Sequence, residues 1–211
     1  MNKTNYLILL CITSSFLTWL FANDQTAELL AFSGDNLLKG RVWTLFTGLF
    51  IHSDLTHLFG NMIFFYIFGN TIEKELNHKW VLLPFFTGGF VSFLLSTLFY
   101  APSAYMIGAS AAIFTLTAIV MMLKPLKFSF VFLMPLGLVA IVYFTFNLIA
   151  VNMGSQGNIS YVGHIIGFLV GIPFGIASNK QWPKNLLLTA ILFTIYLLIT
   201  WFILPTIINL L

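Results

Sequence analysis

Seven apolar stretches alternate with short polar breaks along the chain. They run roughly over 6–22, 54–72, 79–100, 109–123, 128–150, 160–178 and 186–208, and the fourth is short. A helix needs about 20 mostly apolar residues to cross the hydrocarbon core of a bilayer. The pattern therefore predicts an all-α polytopic membrane protein, built as a single domain over 1–211 with seven spanning helices. The segment from Asn23 to Ser53 is too polar at its start to span, and its second half, Val42 to Ile51, is apolar. It is predicted to be a structured loop lying partly in the membrane interface, with Trp43 as an anchor there. The other connections are short, and no internal repeat or low-complexity tract occurs. Lys3 followed by an apolar run has the outline of a signal peptide. No small-x-small cleavage site is found near Ala22, however, since Leu20 stands two positions before it. A retained first helix is expected.

Composition sharpens this picture. Of 211 residues, 59% are hydrophobic and 7% are charged, against roughly 25% charged in a soluble domain. Such a chain cannot cover a water-facing surface, so the lipid bilayer is its solvent. The formal charge of +3 comes from scattered basic residues that form no basic face, which gives no reason to expect a nucleic-acid partner. The single cysteine, Cys11, excludes an internal disulfide and reads as a small packing residue. The basic residues also set orientation. Lys3, Lys74, Lys79, Lys124, Lys127, Lys180 and Lys184 all fall on one side, while Lys39 and Arg41 on the other are offset by Asp24, Glu28 and Asp35. The amino terminus is expected in the cytoplasm and the carboxy terminus outside. Compactness suits a bacterial plasma membrane.

Polar groups within spans are costly and are suspects for function. His57 and Asn61 lie near the start of the second stretch, Ser110 at the start of the fourth and His164 near the start of the sixth. These three stretches run in the same direction, so their starts share one depth. A serine hydroxyl is a weak nucleophile until a base takes its proton, and either histidine fits that need. No buried acid is present to orient the base, because Asp54 and Glu73 stand at the ends of the second stretch. A Ser–His pair is therefore expected in place of a triad. His57 and Asn61, four apart, share a helix face. An Asn side chain can donate to a developing oxyanion, as can the Ser110 backbone N–H at a helix start. Gly163, Gly167, Gly171 and Gly175 form a stripe that lets helices approach, and Gly108, Ala109, Ala111 and Ala112 around Ser110 offer a matching small face.

Each residue also has a plainer reading. Ser110 can be a helix-start serine and His164 a packing histidine. His52 and His57 can be interfacial. Asn147 in the fifth stretch has no assigned role beyond a bond to neighbouring backbone. A metal is not expected: His-Glu-x-x-His is absent, and no buried carboxylate or cysteine would complete a site. No cofactor is called for.

Three segments resemble the signatures of the rhomboid intramembrane serine proteases, in order. They are His52-Ser-Asp-Leu-Thr-His57-Leu-Phe-Gly-Asn61-Met62, then Gly108-Ala-Ser110, then Gly163-His164-Ile-Ile-Gly167. The resemblance covers about 40–180. It implies a six-helix core over about 1–180 with an extra helix at about 186–208, Ser110 as nucleophile and His164 as general base. It further implies that His57 and Asn61 help to form an oxyanion hole and that Phe114 packs on the base. The implied substrates are transmembrane protein segments, entering laterally past the fifth helix and a loop cap. Ala111 follows the serine where the family pattern often has Gly, and Thr44 follows Trp43 where it often has Arg. An inactive rhomboid-like protein that binds membrane clients is the competing reading. A transporter is disfavoured by the lack of inverted repeats and charged pathway residues.

Overall fold

The computed structural model describes residues 2–154 and 160–203, and these form a helical protein with one small hairpin. Helix α1 (Lys3–Phe21) leads into three short helices, α2 (Asp24–Leu30), α3 (Gly34–Leu38) and α4 (Thr44–Phe50). These three build the structured loop expected over 23–53, where Trp43 is exposed and donates from its indole to the Leu29 carbonyl at 2.9 Å. Helices α5 (Leu55–Glu75), α6 (Lys79–Ser96) and α7 (Ser110–Leu123) follow. Strands β1 (Phe128–Ser129) and β2 (Met134–Pro135) pair antiparallel. Helices α8 (Leu136–Asn152), α9 (Tyr161–Ser178) and α10 (Trp182–Leu198) complete the chain, and a π-helical turn, Ile199–Ile203, extends the last of them.

Four of these helices are long and apolar enough to cross a membrane: α1, α6, α9 and α10 with its extension to Trp201. Helices α7 and α8 are apolar and shorter. Helix α5 has 21 residues but includes Asn61, Asn70, Glu73 and Lys74. Two expected boundaries are corrected. The third stretch stops as a helix at Ser96, with turns from Thr97 to Tyr100. The fifth does not begin at 128, since residues 128–135 are the hairpin. Its composition is apolar throughout, so hydropathy alone gave no break. The break comes from Pro135, which lacks an N–H and pushes the preceding residue to extended backbone. Residues 204–208 of the last expected stretch lie outside the described residues.

The core is built around α7, in which every residue from Ala111 to Leu123 is buried. Two glycines of the predicted stripe make this possible. A Cβ at Gly167 would run into the Ala111 carbonyl, and one at Gly171 into the Thr115 carbonyl. Thr115 Oγ1 donates to the Gly167 carbonyl at 2.8 Å across the same seam. Gly163 and Gly175 meet side chains instead, those of Ser160 and Met122. On the other flank, Gly88 of α6 meets Thr115. Helices in lipid gain no hydrophobic drive from meeting one another, so this close packing and its hydrogen bond are what hold them.

The lysine-bearing helix ends gather at one end of the bundle. The Glu73 carboxylate accepts from the Lys3 and Thr4 backbone N–H groups at 2.8 Å each, which caps the start of α1 with the end of α5. Lys124 Nζ lies 2.9 Å from Glu75, and Lys127 Nζ donates to Thr71 Oγ1 at 3.0 Å. Cys11 is fully buried in the main apolar cluster.

Replacing Gly167 with Val forces α7 and α9 apart. A loss of about 1–3 kcal/mol is expected, the range of an overpacked core, read as a lower thermal unfolding midpoint in detergent. Gly60→Ala is the control: nothing lies within 4 Å of the added Cβ, and its midpoint should not fall.

Candidate active site

The first signature folds locally because Asp54 caps α5. Its Oδ1 accepts from the His57 backbone N–H at 2.8 Å, and its Oδ2 accepts from Ser53 Oγ at 2.7 Å. These two donors hold the Asp54 carboxyl below the usual carboxylate range. Ser53 Oγ also lies 3.1 Å from His57 Nδ1. One turn on, Asn61 points into the bundle, and its Nδ2 is buried without a hydrogen-bond partner among the described residues.

Ser110 is the first residue of α7, so its backbone N–H has no partner within the helix. The approach to it is pinned from outside the bundle. Phe32 and Met106 exchange backbone hydrogen bonds at 3.1 and 2.7 Å, and the Gly108 N–H donates to the Gly48 carbonyl at 2.7 Å. Gly108 has φ +102°, and a Cβ there would stand 2.8 Å from the His57 ring. Both the backbone conformation and the space exclude a side chain.

His164 sits in the first turn of α9, behind the Ser160 cap. Its Nε2 lies 2.8 Å from Ser110 Oγ. Its ring stacks on Phe114 with centroids 4.6 Å apart and planes 7° from parallel. The structure thus brings together residues from α5, α7 and α9: His57, Asn61, Ser110, Phe114 and His164 all line one cavity of about 1160 Å³. Helix α7 has 14 residues and so measures about 21 Å at about 1.5 Å per residue. That is short of the roughly 30 Å hydrocarbon core.

Two side chains behave differently from their sequence reading. His52 is not interfacial but buried, at 2% exposure, whereas His57 is only partly buried. The His52 ring bridges elements: Nδ1 lies 3.0 Å from Ser15 Oγ on α1, and Nε2 accepts from the Ala109 N–H at 3.4 Å. Asn147 does bond to neighbouring backbone, through Nδ2 to the Tyr143 carbonyl at 2.7 Å. Its Oδ1, however, also lies 2.8 Å from His164 Nδ1. The base candidate therefore has a partner on its second nitrogen, although no acid is there. Asn147 is a buried polar residue in an apolar helix, and that was the one signal available in the sequence.

The rhomboid-domain family model matches residues 39–181. Rhomboid-like protease 1 of Toxoplasma gondii is 28% identical over 173 residues, which cover 74% of this chain and 55% of that protein. RHOMBOID-like protein 7 of Arabidopsis thaliana is 28% identical over 153 residues, covering 70% and 47%. Rhomboid protease GlpG of Salmonella newport is 29% identical over 76 residues, covering 36% and 28%. The chain thus spans from about a quarter to just over half the length of these relatives. They come from a plant, a bacterium and Toxoplasma, so kinship does not support the bacterial membrane expected from compactness. With the family model matched over most of its length and apolar helices around a buried polar cluster, this integral membrane protein belongs to the rhomboid family.

Proposed function

We propose that the protein is an intramembrane serine endopeptidase that hydrolyses peptide bonds in or near transmembrane segments of other membrane proteins. The observation that carries this reading is the 2.8 Å separation of Ser110 Oγ and His164 Nε2 at the start of a short, buried helix. Ser110 attacks the scissile carbonyl as His164 takes its proton, His164 protonates the leaving amine as the C–N bond breaks, and water, giving a proton to His164, then cleaves the Ser110 ester and frees the acid product. The Phe114 ring limits how far the imidazole can turn. The negative charge on the tetrahedral intermediate falls near the Asn61 amide and the free Ser110 N–H. His57 is the weaker donor. When Ser53 donates its one proton to Asp54 in a hydrogen bond, Ser53 Oγ accepts from His57 Nδ1–H, and a neutral His57 then presents a bare Nε2. Asn61 Nδ2 needs no such change, since it has no partner among the described residues. With the lysine-bearing helix ends in the cytoplasm, the cavity opens toward the opposite face and admits the water that hydrolysis consumes.

A fluorophosphonate serine probe should label the purified protein, and Ser110→Ala and His164→Ala should each abolish labelling and cleavage of a transmembrane reporter. A folded protein that binds membrane clients but is never labelled would instead be an inactive relative. Asn61→Ala should lower kcat by about 10²–10³, the worth of one oxyanion donor, with labelling retained. Cleavage should fall as pH is lowered and His164 takes up a proton. A rate that did not fall at any acid pH at which the protein stays folded would remove His164 from the role of base.

A further inference from the structure

The second nitrogen of the His164 ring faces an amide, not solvent or an acid. Asn147 lies on α8 and is 2% exposed, with Oδ1 2.8 Å from His164 Nδ1. An amide can be turned end for end without changing its shape, so which atom faces the ring must be decided by its other contact. That contact is the Tyr143 carbonyl, 2.7 Å from Asn147 Nδ2. A carbonyl oxygen only accepts. Turning the amide over would set Oδ1 against the Tyr143 oxygen, two acceptors with no proton between them. The orientation is therefore fixed, and Oδ1 must accept from His164 Nδ1–H. A neutral imidazole carries one ring proton. With that proton held on Nδ1, Nε2 is left as a lone pair aimed at the Ser110 hydroxyl.

We propose that Asn147 is the positioning residue for the base, selecting the His164 tautomer that can accept the Ser110 proton and holding the ring against Phe114. This rests on the proposed roles of Ser110 and His164. The backbone of α8 supplies the fixed point: the Tyr143 carbonyl locks the amide, the amide locks the ring, and the ring addresses the hydroxyl. As the proton moves from Ser110 to Nε2, the imidazolium keeps its Nδ1–H bond to Oδ1, so no group has to move during the transfer. The ionisable side chains that line the same cavity include His52, Asp54 and His57, Tyr143 on α8 and Tyr161 on α9. None of them is bonded to Nδ1.

Two replacements of similar size separate positioning from packing. Asn147→Leu fills the space without an acceptor. Asn147→Asp keeps the acceptor toward Nδ1, places a charge there and loses the donor to the Tyr143 carbonyl. The wild type, both variants and Ser110→Ala are assayed side by side for cleavage of a transmembrane reporter, with thermal unfolding in detergent as the check on folding. Positioning requires Asn147→Leu to lose about 10²–10⁴ in kcat with KM within about threefold, the scale of a lost tautomer-setting partner or second-shell ligand. It also requires Asn147→Asp to recover at least tenfold over Asn147→Leu, even if its unfolding midpoint is lower. A packing residue would give the reverse order, with Leu near wild type and Asp impaired, and that result overturns the proposal while leaving Ser110 and His164 in place. Wild type as inert as Ser110→Ala would overturn the protease reading and this inference together.

Discussion

Everything at the site depends on how closely α7 and α9 approach. Ser110 and His164 are on different helices, and only backbone-to-backbone contact brings an imidazole within hydrogen-bond reach of a hydroxyl one helix away. Gly167 and Gly171 provide that contact, seated on the Ala111 and Thr115 carbonyls. The Thr115 hydroxyl adds a bond across the seam and satisfies the Gly167 carbonyl a second time. Were these helices spaced by ordinary side chains, at the 8–10 Å common between helix axes, the ring would fall short of the serine whatever the residues.

Burial dictates the chemistry of the other parts. An ion inside an apolar bundle is expensive, and breaking its pairing is more expensive still. The ring's second nitrogen meets an amide in place of a carboxylate, and the groups around it are neutral hydroxyls, rings and amides. Two acids at opposite ends of α5, Asp54 and Glu73, cap helix ends where backbone N–H groups stabilise their charge. Charge is thus kept to the two ends of the bundle, and the middle works with dipoles.

Much of this was legible in the sequence. The starts of the second, fourth and sixth stretches were placed near 54, 109 and 160, and the glycine spacing of four showed which helix faces would meet. What the sequence could not show was geometry that depends on two elements at once. His52 is separated from its partner Ser15 by 37 residues, and nothing in the local pattern distinguishes it from His57. The hairpin at 128–135 was hidden because its residues are as apolar as those of the helix after it. Asn147 met the same criterion as Asn61, a lone polar side chain in an apolar helix. Its target, however, is on the neighbouring helix, and no motif spacing encodes that.

Helix α8 is tied in differently at its two ends. At Gly137 it is pressed against Pro125 and Thr189, with no room for a Cβ. Toward its other end it meets α5 through the Phe64 and Tyr143 rings, 4.6 Å between centroids, and α9 through the Asn147 amide. A rod clamped near its start and latched near its far end moves most where the latch is. Anything that pushed α8 outward to reach the cavity would stretch the hydrogen bond between Asn147 and His164. On the roles proposed for Asn147 and His164, access and reactivity would then be interlocked: a displaced rod would leave the base unset, and the base would be set only once the rod came back.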